Sequence, residues 1–147
     1  MHIKEGVLAF IGAVGGILAS LLGGWDAVLR TLLLFMGVDY LLGLLVAGVF
    51  KRSDKTEDGG LESRAGWKGL CRKGVSLTVV LVAAQLDGLL GVDTNYIRNG
   101  VVIAFTANEA LSIVENAGLI GVPIPEIVKD AISVLKKEAE ERKVKKV

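Results

Sequence analysis

Residues 6–25 form a run of twenty residues without one ionisable side chain. An α-helix rises about 1.5 Å per residue, so a helix of this length spans the hydrocarbon core of a bilayer, about 30 Å. Three later stretches, 31–50, 74–92 and 99–122, are apolar apart from one or two acids each. The sequence therefore predicts an all-α integral membrane protein of about four transmembrane helices, followed by a C-terminal amphipathic, charged helix.

The composition also favours lipid contact over a soluble core. Hydrophobic residues make up 52% of the chain and the mean hydropathy is +0.55, which leaves too little polar sequence to cover a soluble domain. We expect one membrane domain, 1–125, and a cytoplasmic charged helical tail, 126–147. Pro123 and Pro125 mark the boundary, because proline ends one helix and can begin the next.

The positions of the basic residues predict the orientation of the spans. Seven of the 17 lysines and arginines lie in the loop 51–73 and seven follow Pro125, whereas Arg30 and Arg98 stand alone in the other connections. Positively charged segments stay in the cytoplasm, so both termini and the middle loop are predicted to be cytoplasmic. The fourth segment is the least apolar, and it could instead lie in the interface or against the other helices.

The first span carries small residues at every fourth position, at Gly12, Gly16, Ser20 and Gly24. Residues four apart share one face of a helix. A groove of small residues lets two backbones approach closely, and such packing associates helices in lipid. This face fits two interpretations: self-association into a homo-oligomer, or packing inside one protomer.

Acidic residues interrupt the second and third spans. Asp39 lies near the middle of 31–50, where a charged carboxylate costs roughly 2.5 to 3.5 kcal/mol in lipid. It should therefore face protein, water or a cation, either lining a pore or fixing helix register as a hydrogen-bonded acid. Asp87 lies near the predicted outer end of 74–92, and we expect it to reach water.

A polar stripe follows one face of the fourth segment. Its members fall at spacings of three and four residues and comprise Asn108, Glu109, Ser112, Glu115 and Asn116. Two carboxylates within seven residues are costly to bury dry, so the stripe favours an aqueous path, and Asp39 is a further candidate for it. The alternative is a polar seam that holds helices together without conduction.

The segment before the third span combines basic residues with Trp67 and Leu70. Its basic members are Arg64, Lys68, Arg72 and Lys73. This composition suits an anionic inner leaflet, so membrane lipids are the predicted partners and nucleic acid is not. The chain has no glycine-rich phosphate loop, nucleophile elbow or Cys and His cluster, so we expect no enzyme activity, no catalytic residue, no metal site and no cofactor.

Several motifs, in order along most of the chain, resemble the toxin-secretion and phage-lysis holin family. They are Gly23 to Asp26, Val38 to Gly43, Gly66 to Leu70 with Lys73, Leu86-Asp87, Asn108-Glu109 through Ser112 to Glu115-Asn116, and Gly121 to Pro125. The stripe and the proline segment are the most specific. Family members have often been described with three spans, whereas the charge pattern here predicts four.

The resemblance implies a small protein, usually encoded by a phage or prophage, that accumulates in the bacterial inner membrane. There it would oligomerise and open lesions that release an endolysin, or in some relatives a large toxin, without needing direct contact with that cargo. Two other functions fit the residues. One is a non-conducting membrane adaptor whose basic loop recruits a cytoplasmic partner, and the other is a small ion channel or transporter.

Overall fold

Five α-helices form the part of the chain that the computed structural model describes, residues 2–92 and 94–144. They are α1 (His2–Leu21), α2 (Ala27–Leu45), α3 (Ser63–Leu89), α4 (Tyr96–Ile120) and α5 (Glu126–Val144). A π-helical turn, Val46–Phe50, continues α2. The prediction of an all-helical protein is confirmed, and residues 1, 93 and 145–147 of the predicted domains lie outside the described residues.

Three of the described helices are long and apolar enough to cross a membrane: α1, the continuous helix Ala27–Phe50, and α3. α4, which contains the predicted span 99–122, is not among them, and polar side chains such as Glu109 and Glu115 interrupt the apolar sequence of its second half. Length and composition thus support three of the four predicted spans. The basic segment and the third span form one helix of 27 residues, about 40 Å long, so one end of α3 extends beyond the hydrocarbon core.

The core lies between α2, α3 and α4. Leu32 and Met36 from α2 pack against Val80 of α3 and Val102 of α4, and none of the four is more than 5% exposed. Asp26 starts α2 as its N-cap, since its carboxylate accepts a 2.9 Å hydrogen bond from the backbone N–H of Leu29. This cap satisfies one of the free amides at the start of the helix.

Helix α1 stands largely apart from this bundle. It has no buried residue, and among the described helices it contacts only α3. The contact lies at its C-terminal end, where the side-chain amide of Gln85 donates a 3.0 Å hydrogen bond to the Leu21 carbonyl. Gly23 and Gly24 then turn the chain with φ of +88° and +103°, a conformation that glycine adopts without strain.

Helix α5 packs against α4 after a short connection. Gly121, with φ of +93°, ends α4, and the amide of Val122 donates a 3.0 Å hydrogen bond to the Ala117 carbonyl, as in a Schellman cap. Ile132 and Ala139 are each 6% exposed on α5. Because they are seven residues apart, they lie on one face of the helix.

Candidate functional site

Four polar side chains from three helices meet inside the bundle. This Asp39 cluster consists of Asp39 from α2, Lys73 from α3, and Glu109 and Asn116 from α4. The ammonium of Lys73 donates to Asp39 Oδ2 at 2.7 Å and also to Glu109 Oε2, while the Asn116 amide donates to Asp39 Oδ1 at 3.1 Å. Each side chain of the Lys73 ion pairs is at most 15% exposed.

The charges of the Asp39 cluster do not cancel. One ammonium faces two carboxylates, which leaves one formal negative charge when both acids are ionised. A buried ion pair stabilises a fold only when its remaining lone pairs are also satisfied, and the Asn116 amide fills this role at Asp39. Removing Lys73 would leave both acids without an ion-pair partner among the described residues.

A cavity of about 450 Å³ reaches this cluster from the side of the basic loop. Asp39, Lys73, Glu109 and Ser112 line its inner end, and residues of the 51–62 loop line its outer part. The cavity is partly open. The acids of the Asp39 cluster therefore border a partly open space with a mixed polar and apolar lining, rather than a sealed apolar interior.

A second cluster lies at the opposite end of the bundle, where the α1–α2 and α3–α4 connections meet. At its centre Arg98 is fully buried. Its guanidinium donates to the carbonyls of Leu22 and Gly24 at 2.9 and 3.1 Å, to Asn99 Oδ1 at 2.9 Å, and to both carboxylate oxygens of Asp26. The fork-shaped donor thus ties the glycine turn to the start of α4.

Gly23 makes this arrangement possible. A side-chain carbon at this position would lie 3.2 Å from Arg98 Nε. It would also be strained, because the backbone at Gly23 has a positive φ that glycine adopts most easily. The side-chain amide of Asn95 adds a 2.9 Å hydrogen bond to the Gly23 carbonyl. Burial alone would raise the pKa of Asp26. Hydrogen bonds from Arg98 and Leu29, together with the positive charge of Arg98, instead hold this pKa below its usual value of 3.8.

Asp87 belongs to the same end of the bundle and is only 1% exposed. The expectation that it reaches water was therefore wrong. Its two carboxylate oxygens accept hydrogen bonds from the backbone N–H groups of Ile97 and Arg98 at 2.9 and 2.8 Å. These amides have no partner within α4, and a negative charge at a helix N-terminus is favourable, so the carboxylate has a reason to remain inside.

The members of the polar stripe divide between the inside and the outside of the protomer. Glu109 and Asn116 join the Asp39 cluster, and Ser112 borders the cavity beside them. Asn108 and Glu115 are exposed. Part of the stripe thus connects helices within one copy of the chain, while two of its side chains face outward.

The small-residue face of α1 has no covering within the protomer. Gly12, Gly16 and Ser20 are exposed, and a methyl group added at Gly12 or Gly16 would meet no atom outside its own helix within 4 Å. Gly24 is half-buried in the turn after α1. Among the described residues, therefore, no other helix of the same copy packs into this groove.

The predicted surface basic residues lie at two different depths. Arg64, Lys68 and Arg72 are exposed on α3. Lys73 is turned inward, and its side chain is 13% exposed between Asp39 and Glu109. Successive residues of a helix point about 100° apart, so Lys73 occupies a different face from Arg72.

Sequence reasoning missed the role of Arg98 because a single arginine between two apolar stretches suggests a solvated turn. Asp26 lies 72 residues earlier, so no local pattern connects the two. The only signal is indirect: the Gly23-Gly24 pair before Asp26 predicts a turn that brings backbone carbonyls together. Those carbonyls are what Arg98 binds.

Three helices that are long and apolar enough to cross a membrane indicate an all-helical membrane protein. The chain belongs to the bacteriophage holin family, whose sequence profile matches residues 16–137. Membership in this family points to a non-enzymatic protein of a bacterial membrane, with a role of the phage holin type.

Bacterial and phage proteins resemble the chain over most of its length. The uncharacterized 14.9 kDa protein in nagH 3'region of Clostridium perfringens is 37% identical over 134 residues, 91% of this chain and 92% of that protein. An uncharacterized protein of Listeria monocytogenes is 35% identical over 90% of this chain and 85% of its own length. A probable holin of Bacillus phage phi105 is 32% identical over 71% of each chain. No solved structure matches the sequence.

Proposed function

We propose that this protein is a holin that oligomerises in the bacterial inner membrane and opens lesions through which an endolysin, or a large toxin, leaves the cytoplasm. The oligomer is built from copies of this chain in contact with membrane lipids. The cargo needs no direct contact with it. Support comes from membership in the holin family and from polar and small-residue surfaces that one copy leaves uncovered.

The observation that carries the proposal is the exposure of α1. A helix of 20 residues without one buried side chain gives its own bundle almost no packing. In lipid, helices associate through close packing of small residues rather than through hydrophobic burial. The occupant we propose for the groove of Gly12, Gly16 and Ser20 is α1 of a second copy. Assembly then depends on concentration by mass action, which lets lesions appear abruptly as the protein accumulates.

The lesion wall in this proposal is formed by the outward side chains of α4. Asn108 and Glu115 are exposed in the single copy, and an ionised glutamate facing lipid is costly. Several copies arranged around a water-filled space would remove that cost. The Asp39 cluster would stiffen the wall from inside each copy, because it ties α4 to α2 and α3.

The proposed topology has four spans with both termini in the cytoplasm. α4 packs along α2 and α3, which are both apolar enough to cross the membrane. This packing favours insertion of α4 together with them. The tail 126–147 would then remain at the cytoplasmic surface, since each charged residue at mid-bilayer costs roughly 2.5 to 3.5 kcal/mol. We infer that α5 separates from α4 when α4 inserts.

Lysis of bacteria tests the function directly. Inducing this gene together with a cytosolic endolysin should give sudden lysis and loss of membrane potential, whereas the endolysin alone should give neither. Growth that continues with an intact potential rules out the proposal. Loss of potential without release of a protein-sized reporter would indicate a small ion channel instead.

Matched substitutions test the assembly surface. Gly16→Phe places a large ring in the small-residue groove, whereas Val14→Phe places the same ring about 200° around the helix. We expect Gly16→Phe to abolish cross-linked oligomers and lysis, and Val14→Phe to retain both. Equal behaviour of the two variants would contradict assembly through this groove.

Substituting two glutamates of α4 distinguishes a residue that lines the lesion from one that supports the fold of each copy. Glu115→Leu should leave oligomers intact and stop release of cargo, because this side chain faces outward. Glu109→Leu should instead lower the stability of each copy, because it removes a carboxylate from Lys73. Release that survives Glu115→Leu, with normal oligomers, contradicts a lumen lined by this face of α4.

A further inference from the structure

The outer part of the cavity beside the Asp39 cluster carries unpaired positive charge. Lys55 reaches it from the loop, while Lys68 and Arg72, four residues apart on α3, line it from one helix face. Within the described part of the chain none of the three lies within ion-pair distance of a carboxylate. Glu62 is the one acid lining this outer part, so the net charge there is positive.

The same cavity has an apolar side. Leu44 and Ala47 contribute from the α2 end, and Leu61 and Ala65 from the loop and the start of α3. The nearby Trp67 is 67% exposed, and tryptophan favours the level of the lipid headgroups. The opening therefore combines cations and hydrocarbon at membrane-surface depth.

We propose that this cavity binds an anionic phospholipid by its phosphate headgroup. Lys55, Lys68 and Arg72 hold the phosphate, and the apolar side accommodates the glycerol and the first carbons of an acyl chain. Arginine presents paired N–H donors that match phosphate oxygens, and lysine adds compact charge. The volume of about 450 Å³ lies within the roughly 300 to 1,000 Å³ of small-molecule sites.

The chemistry favours a lipid over a soluble phosphate because of the apolar half of the lining. A soluble anion would use only the cationic half. The site is a property of the single copy, so it does not depend on the lesions proposed above, and its test does not use lysis.

The experiment measures binding of phosphatidylglycerol to the full chain in zwitterionic detergent, counting bound lipid by native mass spectrometry. We expect Arg72→Gln and Lys68→Gln each to weaken binding about tenfold, which corresponds to about 1.4 kcal/mol. Arg64→Gln is the matched control, since it removes one positive charge from the same helix outside the cavity. Its binding should stay within about twofold of wild type, because exposed charges outside the site contribute little.

Three outcomes overturn the proposal. Equal weakening by Arg64→Gln and Arg72→Gln would mean general attraction of a basic surface for anions. Unchanged binding in both Lys68→Gln and Arg72→Gln would mean that the cavity is not the site. Two variants are used so that the test still works if one of them fails to fold. Displacement of the lipid by an equal concentration of soluble glycerol phosphate would assign the cavity to a free phosphate.

Discussion

Replacing Arg98 by methionine should loosen the end of the bundle where the two tight connections meet. Methionine keeps most of the side-chain length but has no N–H donor. The substitution leaves the carbonyls of Leu22 and Gly24 without their donor and separates Asp26 from its counterion. The bonds of Asp87 to the α4 amides are backbone bonds and should persist.

The expected loss in free energy of unfolding is about 3 kcal/mol. Losing an ion pair whose acid is exposed costs roughly 1 kcal/mol, and each of the two carbonyls left without a donor costs roughly 1 to 3, so the lower ends sum to about 3. The lower end applies here because the Asp26 side chain is 40% exposed and can turn to water. The two carbonyls lie in half-buried residues, which also reduces their penalty.

Unfolding in mixed detergent micelles, driven by increasing dodecyl sulfate, measures this loss. Trp25 is a suitable fluorescent reporter next to Asp26, with Trp67→Phe as the background. Arg30→Met is the matched control, since Arg30 is exposed on α2 and forms no ion pair within the described residues. If both arginine variants unfold at the same detergent fraction, the stabilising role assigned to Arg98 is wrong. Asp26→Asn should also cost less in the Arg98→Met background than alone, because the two residues are coupled.

Other substitutions should show similarly specific effects in the same titration. Lys73→Met should cost about 3 to 5 kcal/mol by leaving two buried acids unpaired. Lys68→Met, five residues earlier and exposed, should cost less than about 0.5, and equal effects of the two substitutions would contradict the Asp39 cluster. Asp87→Ala should cost about 1 to 2 kcal/mol through loss of the bonds to the α4 amides, against no measurable change for Asp54→Ala in the loop. Because the folded pKa of Asp26 is lowered, its stabilising effect is present above its ordinary pKa of 3.8 and is lost as the pH falls through the lowered value. The stability difference between wild type and Asp26→Asn should therefore shrink in acid, and a constant difference from pH 7 to pH 2 refutes this.

Helix positions were the most predictable part of this fold. The uncharged run at 6–25 is helical as far as Leu21, and the apolar stretch at 31–50 is helical throughout, because lipid demands internal hydrogen bonding of the backbone whatever the side-chain order. The last four residues of the first run instead form the turn at Gly23 and Gly24. The ends of the helices differ by several residues from the predicted ends, because capping residues fix where a helix begins or stops. α2 begins at Ala27, immediately after Asp26, because that carboxylate provides the N-cap.

The interior contacts were less predictable, because they join residues far apart in the chain. Asp39 and Glu109 stood out as buried acids, but their shared counterion, Lys73, is hidden in sequence among other basic residues. Its inward direction depends on the rotation of α3 against α2 and α4, which no single stretch specifies. Asp87 was misjudged for the same reason, since its partners are amides at the start of another helix.

The glycine joint after α1 has a mechanical consequence. Because α1 contributes no buried side chain to its own bundle, little packing would be lost if α1 moved away from α3. At the high protein density of the proposed assembly, packing of α1 on an adjacent copy would cost its own bundle little buried area. In the oligomer proposed above, α1 would therefore change partners while α2, α3 and α4 stay packed together.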